Sequence, residues 1–87
     1  MAVEQTVSVI ASLESRPAAL FVQAASRFSS QIQIKIENKT VNAKSIMGII
    51  SLGILDGQEV TIIADGDDAG QALTELKRFL TERSNAI

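Results

Sequence analysis

The alternation of apolar and polar residues along the chain predicts a sheet. From Val3 to Ile10 the valines recur on one face, and Gln5 on that same face suggests an edge strand or a ragged start of the strand. Two further alternating segments flank a polar turn, in which Asn38 tolerates positive φ, so we expect an antiparallel hairpin. The predicted strands cover residues 3–10, 31–36, 40–43 and 60–64.

Apolar residues spaced three and four positions apart predict a helix between the first two strands. Ser15 is its candidate N-cap, and the helix extends to about Phe28 or Ser29. Leu20, together with small neighbouring alanines, widens its apolar face. The side chains that define this face are Phe21, Ala24, Ala25 and Phe28.

The same spacing predicts a helix at the end of the chain. Asp67 or Asp68 could cap its N-terminus and complement its dipole. Its apolar stripe consists of Ala69, Ala72, Leu73, Leu76 and Leu80. Basic residues in the C-terminal half, Lys77, Arg78 and Arg83, have the sign that this end favours.

A short middle helix is marked at both ends. Ser45 stands where an N-cap is expected, and Gly53 stands where a helix ends in the left-handed conformation. Between them lies more apolar surface than one side of a short helix can bury, so we expect part of it to face outward. The residues concerned are Ile46, Met47, Ile49, Ile50 and Leu52.

The resulting element order is β-α-β-β-α-β-α. All helices can cover one face of a four-stranded sheet, which predicts an α+β fold, a two-layer sandwich with one open sheet face. No repeat, low-complexity stretch or linker interrupts the pattern, so we interpret residues 1–87 as a single domain.

Composition narrows the classes of function. Hydrophobic residues make up 46% of the chain, and the formal net charge is −2 with no cysteine and no histidine. Without a basic run or interleaved aromatic residues we expect no direct nucleic-acid binding, and without a long apolar run no membrane insertion. The amino-terminal residues lack the pattern of a signal peptide, so we expect a cytoplasmic protein.

Catalytic and metal-binding patterns do not emerge from the residues. The acidic turn from Asp65 resembles a calcium loop, but Leu76 occupies its twelfth position, where a bidentate glutamate is needed. The serines have no histidine to activate them. We therefore expect no enzyme activity, no cofactor and no metal.

Two serine-capped helix N-termini remain as candidates for anion chemistry. One lies at Ser15 with the Arg16 guanidinium beside it, and the other lies at Ser45. The alternative interpretation is that both serines are ordinary caps and that Arg16 is a solvated surface charge.

Two segments resemble the signatures of the HPr family, the small phosphocarriers of the bacterial phosphoenolpyruvate-dependent sugar phosphotransferase system. They are Arg16-Pro17-Ala18-Ala19-Leu20-Phe21-Val22-Gln23 and Val41-Asn42-Ala43-Lys44-Ser45-Ile46-Met47-Gly48. The similarity extends over essentially the whole chain. It implies an open-faced β-sandwich with antiparallel strand order 1-4-2-3.

One position departs from the phosphocarrier motif. Where that motif reads His-Ala-Arg-Pro, this chain has Glu14, Ser15, Arg16 and Pro17. A carboxylate cannot form the phosphoimidazole that passes phosphate to sugar permeases, so the replacement argues against sugar-transport phosphorelay. The alternative, a phosphocarrier protein HPr with a natural or introduced change at Glu14, remains open.

The regulatory serine of the family is present as Ser45. A serine without the histidine resembles Crh, the catabolite repression branch of the family, although Crh typically has glutamine where this chain has Glu14. The resemblance implies phosphorylation of Ser45 by HPr kinase/phosphorylase, followed by corepressor binding to catabolite control protein A. The partner-binding residues that it implies are Glu14, Arg16, Ala19, Ile46, Met47 and Ile50.

Two properties stay open at this level. Glu14 either mimics the charge of a phosphohistidine or reflects drift after loss of the carrier role. The chain is either a monomer or a homodimer formed by exchange of its first strand, because an edge strand invites pairing.

Overall fold

A computed structural model describes residues 2–10, 12–13 and 15–81, with only the backbone described at Ser15. These residues form one sheet of four strands and three helices. The elements are β1 (Ala2–Ser8), α1 (Ser15–Ser26), β2 (Gln31–Ile36), β3 (Lys39–Asn42), α2 (Ile46–Leu52), β4 (Glu59–Asp65) and α3 (Ala69–Thr81). The strand order is β1-β4-β2-β3, which confirms the predicted fold class and topology.

The register of the sheet places every second residue of each strand on the side of the helices. Val7 of β1 lies opposite Val60 of β4, and Ile34 of β2 lies opposite Ile62 of β4, in antiparallel pairs. All four side chains are buried. β1 and β3 form the two edges of the sheet, so the prediction of an edge position for the first strand is confirmed.

The hydrophobic core lies between this face of the sheet and the helices. Phe21 of α1 is fully buried and meets the ring of Phe79 of α3 edge-on, with the ring centroids 5.5 Å apart. The stripe predicted for α3 is confirmed, since its members are buried or packed against the core. The largest fully buried side chains are Phe21, Leu13, Ile32, Ile34, Ile49, Ile54, Ile62, Leu76 and Leu80.

Three local predictions for the first helix and the hairpin are wrong. α1 begins at Ser15 rather than after it, and it ends at Ser26, because the amides of Arg27 and Phe28 bond three residues back and tighten the last turn. Leu20 does not widen the apolar face, since it is 46% exposed. The positive φ of the hairpin falls on Glu37, at 55°, rather than on Asn38.

The predicted role of the acidic turn before α3 also needs correction. Asp67 is exposed, and the Asp68 carboxylate crosses to the α1–β2 turn instead of capping its own helix. It accepts from the amides of Ser29 at 2.9 Å and Ser30 at 3.0 Å, and from the Ser30 hydroxyl. The bonds from Ser30 and Ser29 lower the pKa of Asp68.

Gly66 allows this close approach between the two turns. A Cβ atom on Gly66 would lie 2.7 Å from the Ser30 Cα, which is too close for any side chain. The backbone carbonyl of Asp68 still accepts the first bond of α3, from the amide of Ala72. The capping position of Asp68 was therefore predicted correctly, whereas the partners of its side chain were not.

Candidate functional site

Ser45 caps α2, as predicted. Its backbone is extended, at φ −109° and ψ 114°, and its Oγ accepts from the Gly48 amide at 3.1 Å. At the other end Gly53 adopts the left-handed conformation with φ 62°, and its amide donates to the Ile50 carbonyl. Both boundary predictions for the short helix are confirmed.

The segment before Ser45 is held by hydrogen bonds from β3. The side-chain oxygen of Asn42 accepts from the Lys44 amide at 2.8 Å, and the Asn42 carbonyl accepts from the Ser45 amide at 3.1 Å. These bonds turn the chain out of the sheet within three residues. Ser45 itself is half-buried, so its hydroxyl lies at the surface of the molecule with a defined direction.

Gly48 is a structural residue of this site that the sequence analysis missed. A Cβ atom there would lie 3.2 Å from the Val41 Cβ and 3.4 Å from the Ser45 Oγ. The missing side chain lets the first turn of α2 lie directly against β3 and the cap. A glycine in the first turn of a predicted helix was the signal that could have shown this, because glycine is unfavourable inside a helix.

The apolar residues of α2 divide between the core and the surface. Ile49 is fully buried, whereas Met47 is 72% exposed and Ile50 is 45% exposed. Ile46 and Leu52 are partly buried against the core. The expectation that part of the apolar surface faces outward is confirmed.

α1 packs beside α2 and carries two further predicted contact residues, Arg16 and Ala19. Arg16 is exposed and Ala19 is half-buried. Leu20 adds an exposed apolar side chain that was not predicted as part of the site. Its position four residues after Arg16, on the same helix face, was the available signal.

Glu14 lies outside the described residues, as does the side chain of Ser15. The structure therefore describes the α2 end of the predicted site and the helical positions 16, 19 and 20, but not the position aligned with the phosphocarrier histidine. Ser15 is the first residue of α1, so its predicted position as the N-cap before this helix is wrong.

Three further features concern the part of the chain that the structure describes. Among residues 2–10, 12–13 and 15–81, no group of three or more acidic residues is arranged so that it could hold a metal ion. None of the helices α1, α2 and α3 combines the length and the apolar character that crossing a bilayer requires. A polar groove lies on the open face of the sheet, lined in part by Glu4, Lys35 and Thr61, and it contains none of the predicted site residues.

Comparison with known proteins places this geometry in a family. The family profile described as "PTS HPr component phosphorylation site" matches residues 3–82. The HPr-like protein Crh of Bacillus subtilis (strain 168) is 51% identical over 70 residues, which cover 80% of this chain and 82% of that protein.

Solved structures show the same similarity. The crystal structure of a phosphocarrier protein HPr from Bacillus anthracis has a TM-score of 0.90 at 49% identity, covering 92% of this chain and 98% of that one. The crystal structure of Crh from Bacillus subtilis, described as a dimer with a swapping domain, has a TM-score of 0.76 at 47% identity, covering 85% and 83%. With its profile match, its sequence identity and its strand order in agreement, this chain belongs to the HPr family.

Proposed function

We propose that this chain is a regulatory HPr-like protein of carbon catabolite repression. HPr kinase/phosphorylase transfers phosphate from ATP to Ser45 and later removes it. The phosphorylated form then binds catabolite control protein A as a corepressor in the cytoplasm. The chain itself acts as a substrate and a binding module rather than as an enzyme.

The carrying observation is the position of the Ser45 hydroxyl beside exposed apolar side chains. Its Oγ lies at the start of α2, and Met47 and Ile50 of that helix are exposed. Phosphorylation adds about −1.5 to −2 charge units and three acceptor oxygens at the end of the helix where the dipole favours negative charge. The phosphate can therefore serve as a new contact for partner cations without refolding of the domain.

The partner surface that we propose extends from α2 onto α1. Met47 suits a surface that meets more than one partner, because its flexible side chain adapts to different shapes. The Arg16 guanidinium supplies a cation at its edge, and the exposed Leu20 continues the apolar area. The residues of this surface are Glu14, Arg16, Ala19, Leu20, Ile46, Met47 and Ile50.

The names of the related proteins support this proposal. The profile match is to a phosphorylation-site family, and the relative that is 51% identical is called an HPr-like protein. The solved Crh structure is described as that of a catabolite repression protein. Transfer of that role to this chain depends on phosphorylation of Ser45.

Incubation with HPr kinase/phosphorylase and ATP, followed by mass spectrometry of peptides, tests the proposal. We expect one phosphate, located on Ser45, in the wild-type protein and none in Ser45→Ala. Ser51→Ala is the matched control, because Ser51 is an exposed serine on the same helix. A wild-type protein that takes up no phosphate at Ser45 would exclude the proposed role.

A second candidate function is that of a phosphocarrier. The observation that favours it is the TM-score of 0.90 to a phosphocarrier HPr, with 98% of that chain covered. Glu14 would then have to accept phosphate as an acyl phosphate. Incubation with phosphoenolpyruvate and Enzyme I would reveal this as an acid-labile phosphate that hydroxylamine removes.

Two hypotheses about the role of Glu14 can be distinguished by measuring the affinity for the partner. If its charge mimics a phosphohistidine beside Arg16, Glu14→Gln changes the affinity of the Ser45-phosphorylated protein for its partner. If Glu14 reflects drift, the two proteins bind equally. Equal affinities would therefore exclude the mimicry hypothesis.

The oligomeric state is either a monomer or a homodimer that exchanges β1. β1 is an edge strand, paired only on its β4 side among the described strands, and the Crh structure is described as a swapped dimer. Light scattering across a concentration series distinguishes the two states. We expect a slowly exchanging dimer if the strand swaps, because exchange requires β1 to leave the sheet.

A further inference from the structure

The side chain of Lys44 connects the segment before α2 to the turn that follows α1. Its ammonium donates to the carbonyl of Phe28 at 2.6 Å, and the bond is partly buried. Phe28 lies two residues beyond Ser26, the last residue of α1, so Lys44 bonds to the turn that follows this helix.

The backbone of Lys44 is fixed as well as its side chain. Its amide donates to the Asn42 side chain at 2.8 Å, and the following amide, that of Ser45, donates to the Asn42 carbonyl at 3.1 Å. One step earlier the Ala43 amide donates to Ile32 of β2 at 2.8 Å. The segment 43–45 is thus held by hydrogen bonds of its backbone to the sheet and by the bond from the Lys44 ammonium to the turn after α1.

The side chains of Lys44 and Ser45 form hydrogen bonds with different partners. Ala43 and Lys44 lie in the turn that follows β3, and the backbone of Ser45 is extended. The Ser45 Oγ accepts from the Gly48 amide of α2, whereas the Lys44 ammonium donates to the Phe28 carbonyl in the turn after α1. The cation nearest to Ser45 in sequence therefore has a different hydrogen-bond partner from the Ser45 hydroxyl.

We propose that Lys44 is a positioning residue for Ser45 and is not the counter-ion of a phosphate on it. The bond to Phe28 holds the turn that presents the Ser45 hydroxyl, so the kinase meets an ordered acceptor. The phosphate oxygens then stay available to cations of the partner. This inference rests on the proposed function of Ser45 and adds the means by which that site is held.

The first test measures amide hydrogen exchange of Gly48 in the unphosphorylated protein, so it does not depend on the kinase. Lys44→Met keeps the length of the side chain and removes its donors. We expect exchange of the Gly48 amide to rise roughly ten-fold, which corresponds to a loss of about 1.4 kcal/mol in local stability. Lys44→Arg should restore slow exchange, and Lys39→Met, at an exposed lysine of β3, should leave it unchanged. Unchanged Gly48 exchange in Lys44→Met would overturn the proposal.

The second test separates positioning from charge pairing. Phosphoserine is incorporated genetically at position 45, and the second pKa of its phosphate is measured by phosphorus NMR. We expect the same value, about 6, with Lys44 and with Lys44→Met. A higher value in Lys44→Met would show that the ammonium is the counter-ion of the phosphate and would refute this part of the proposal.

The kinetics of Ser45 phosphorylation by the kinase test whether this structural role affects function. Lys44→Met should lower kcat/KM for phosphorylation of Ser45 by roughly ten-fold, the factor expected from the loss of one charge-assisted bond, and Lys44→Arg should recover most of it. Full kcat/KM in Lys44→Met would contradict a positioning role. A wild-type protein that is never phosphorylated would instead exclude the proposed function, and the exchange measurement would still decide the structural role of Lys44.

Discussion

The Ser45 hydroxyl oxygen lies 3.1 Å from the Gly48 amide and accepts its hydrogen bond at the start of α2. The same oxygen is the proposed phosphate acceptor, so the capping role and the regulatory role fall on one atom. A phosphate on this oxygen retains acceptor oxygens near the first turn of α2, and its charge has the sign that this end favours. The two roles are therefore compatible.

Removal of the Ser45 hydroxyl tests its capping role. Ser45→Ala should lower the free energy of unfolding by about 0.5–2 kcal/mol, because the Gly48 amide loses its acceptor. Urea unfolding measures the difference. Ser51→Ala, which removes an exposed hydroxyl from the same helix, should change it by less than about 0.5 kcal/mol. Equal effects of the two substitutions would contradict the capping role.

A pair of substitutions in α2 distinguishes its surface from its core. Met47→Ala should weaken binding of the phosphorylated protein to catabolite control protein A by about 1 kcal/mol or more, because it truncates an exposed contact side chain. Its stability should stay within about 0.5 kcal/mol of wild type. Calorimetry of binding and denaturant unfolding give the two quantities.

The buried neighbour provides the comparison. Ile49→Ala should cost about 2–5 kcal/mol of stability, since Ile49 is fully buried and its loss leaves a cavity. If Met47→Ala destabilises the fold as strongly as Ile49→Ala, then Met47 is a core residue and the proposed surface is wrong.

The Asp68 carboxylate makes stability depend on pH. Its pKa lies below the ordinary value of 3.8, because the Ser30 hydroxyl and the amides of Ser29 and Ser30 donate to its charged form. A carboxylate whose pKa is lowered in the folded state stabilises the fold fully above about pH 4, near the pKa of the same group in the unfolded chain. This stabilisation is lost as the pH falls through the pKa of the folded state.

Thermal unfolding from pH 7 to pH 2 checks this dependence. Asp68→Asn should melt at a lower temperature than wild type at pH 7, and the gap between the two proteins should narrow as the pH falls below about 4. Asp67→Asn, at the exposed neighbouring aspartate, is the control and should follow the wild-type curve. A gap that stays constant with pH would rule out the contribution of the Asp68 charge.

Two glycines near the start of α3 should respond to alanine in opposite directions. Gly66→Ala should unfold at lower denaturant concentration, because its Cβ would lie 2.7 Å from the Ser30 Cα. Gly70→Ala should be more stable by about 0.5–1 kcal/mol, because a Cβ at this exposed helical position meets nothing within 4 Å. A stabilised Gly66→Ala protein would show that the two turns do not approach so closely.

Much of the fold could be predicted, because the spacing of the apolar residues and the helix-capping residues agree with the tertiary structure. Ile32, Ile34 and Ile36 alternate with polar residues, and all are buried on the helix side of β2. Ser45 and Gly53 mark α2 by local backbone chemistry, which does not depend on distant contacts. Local signals of this kind can be recognised from the sequence alone.

The features that sequence could not show depend on contacts between distant segments. The Asp68 carboxylate bonds to Ser29 and Ser30, nearly forty residues earlier, with separations of 39 and 38. Lys44 reaches Phe28 across a separation of 16 residues. Neither set of hydrogen-bond partners follows from a local sequence pattern, since each depends on how the helices pack on the sheet. Leu20 was placed on the wrong face because an apolar side chain was assumed to be buried.

The affinity of this protein for catabolite control protein A, measured with and without phosphate on Ser45, tests the central claim most directly. We expect phosphorylation to strengthen binding by at least about ten-fold, or 1.4 kcal/mol, through new charge-assisted bonds from partner cations. Ser45→Ala treated with the kinase should bind as weakly as the unphosphorylated protein. Equal affinity of the phosphorylated and unphosphorylated proteins would contradict the account.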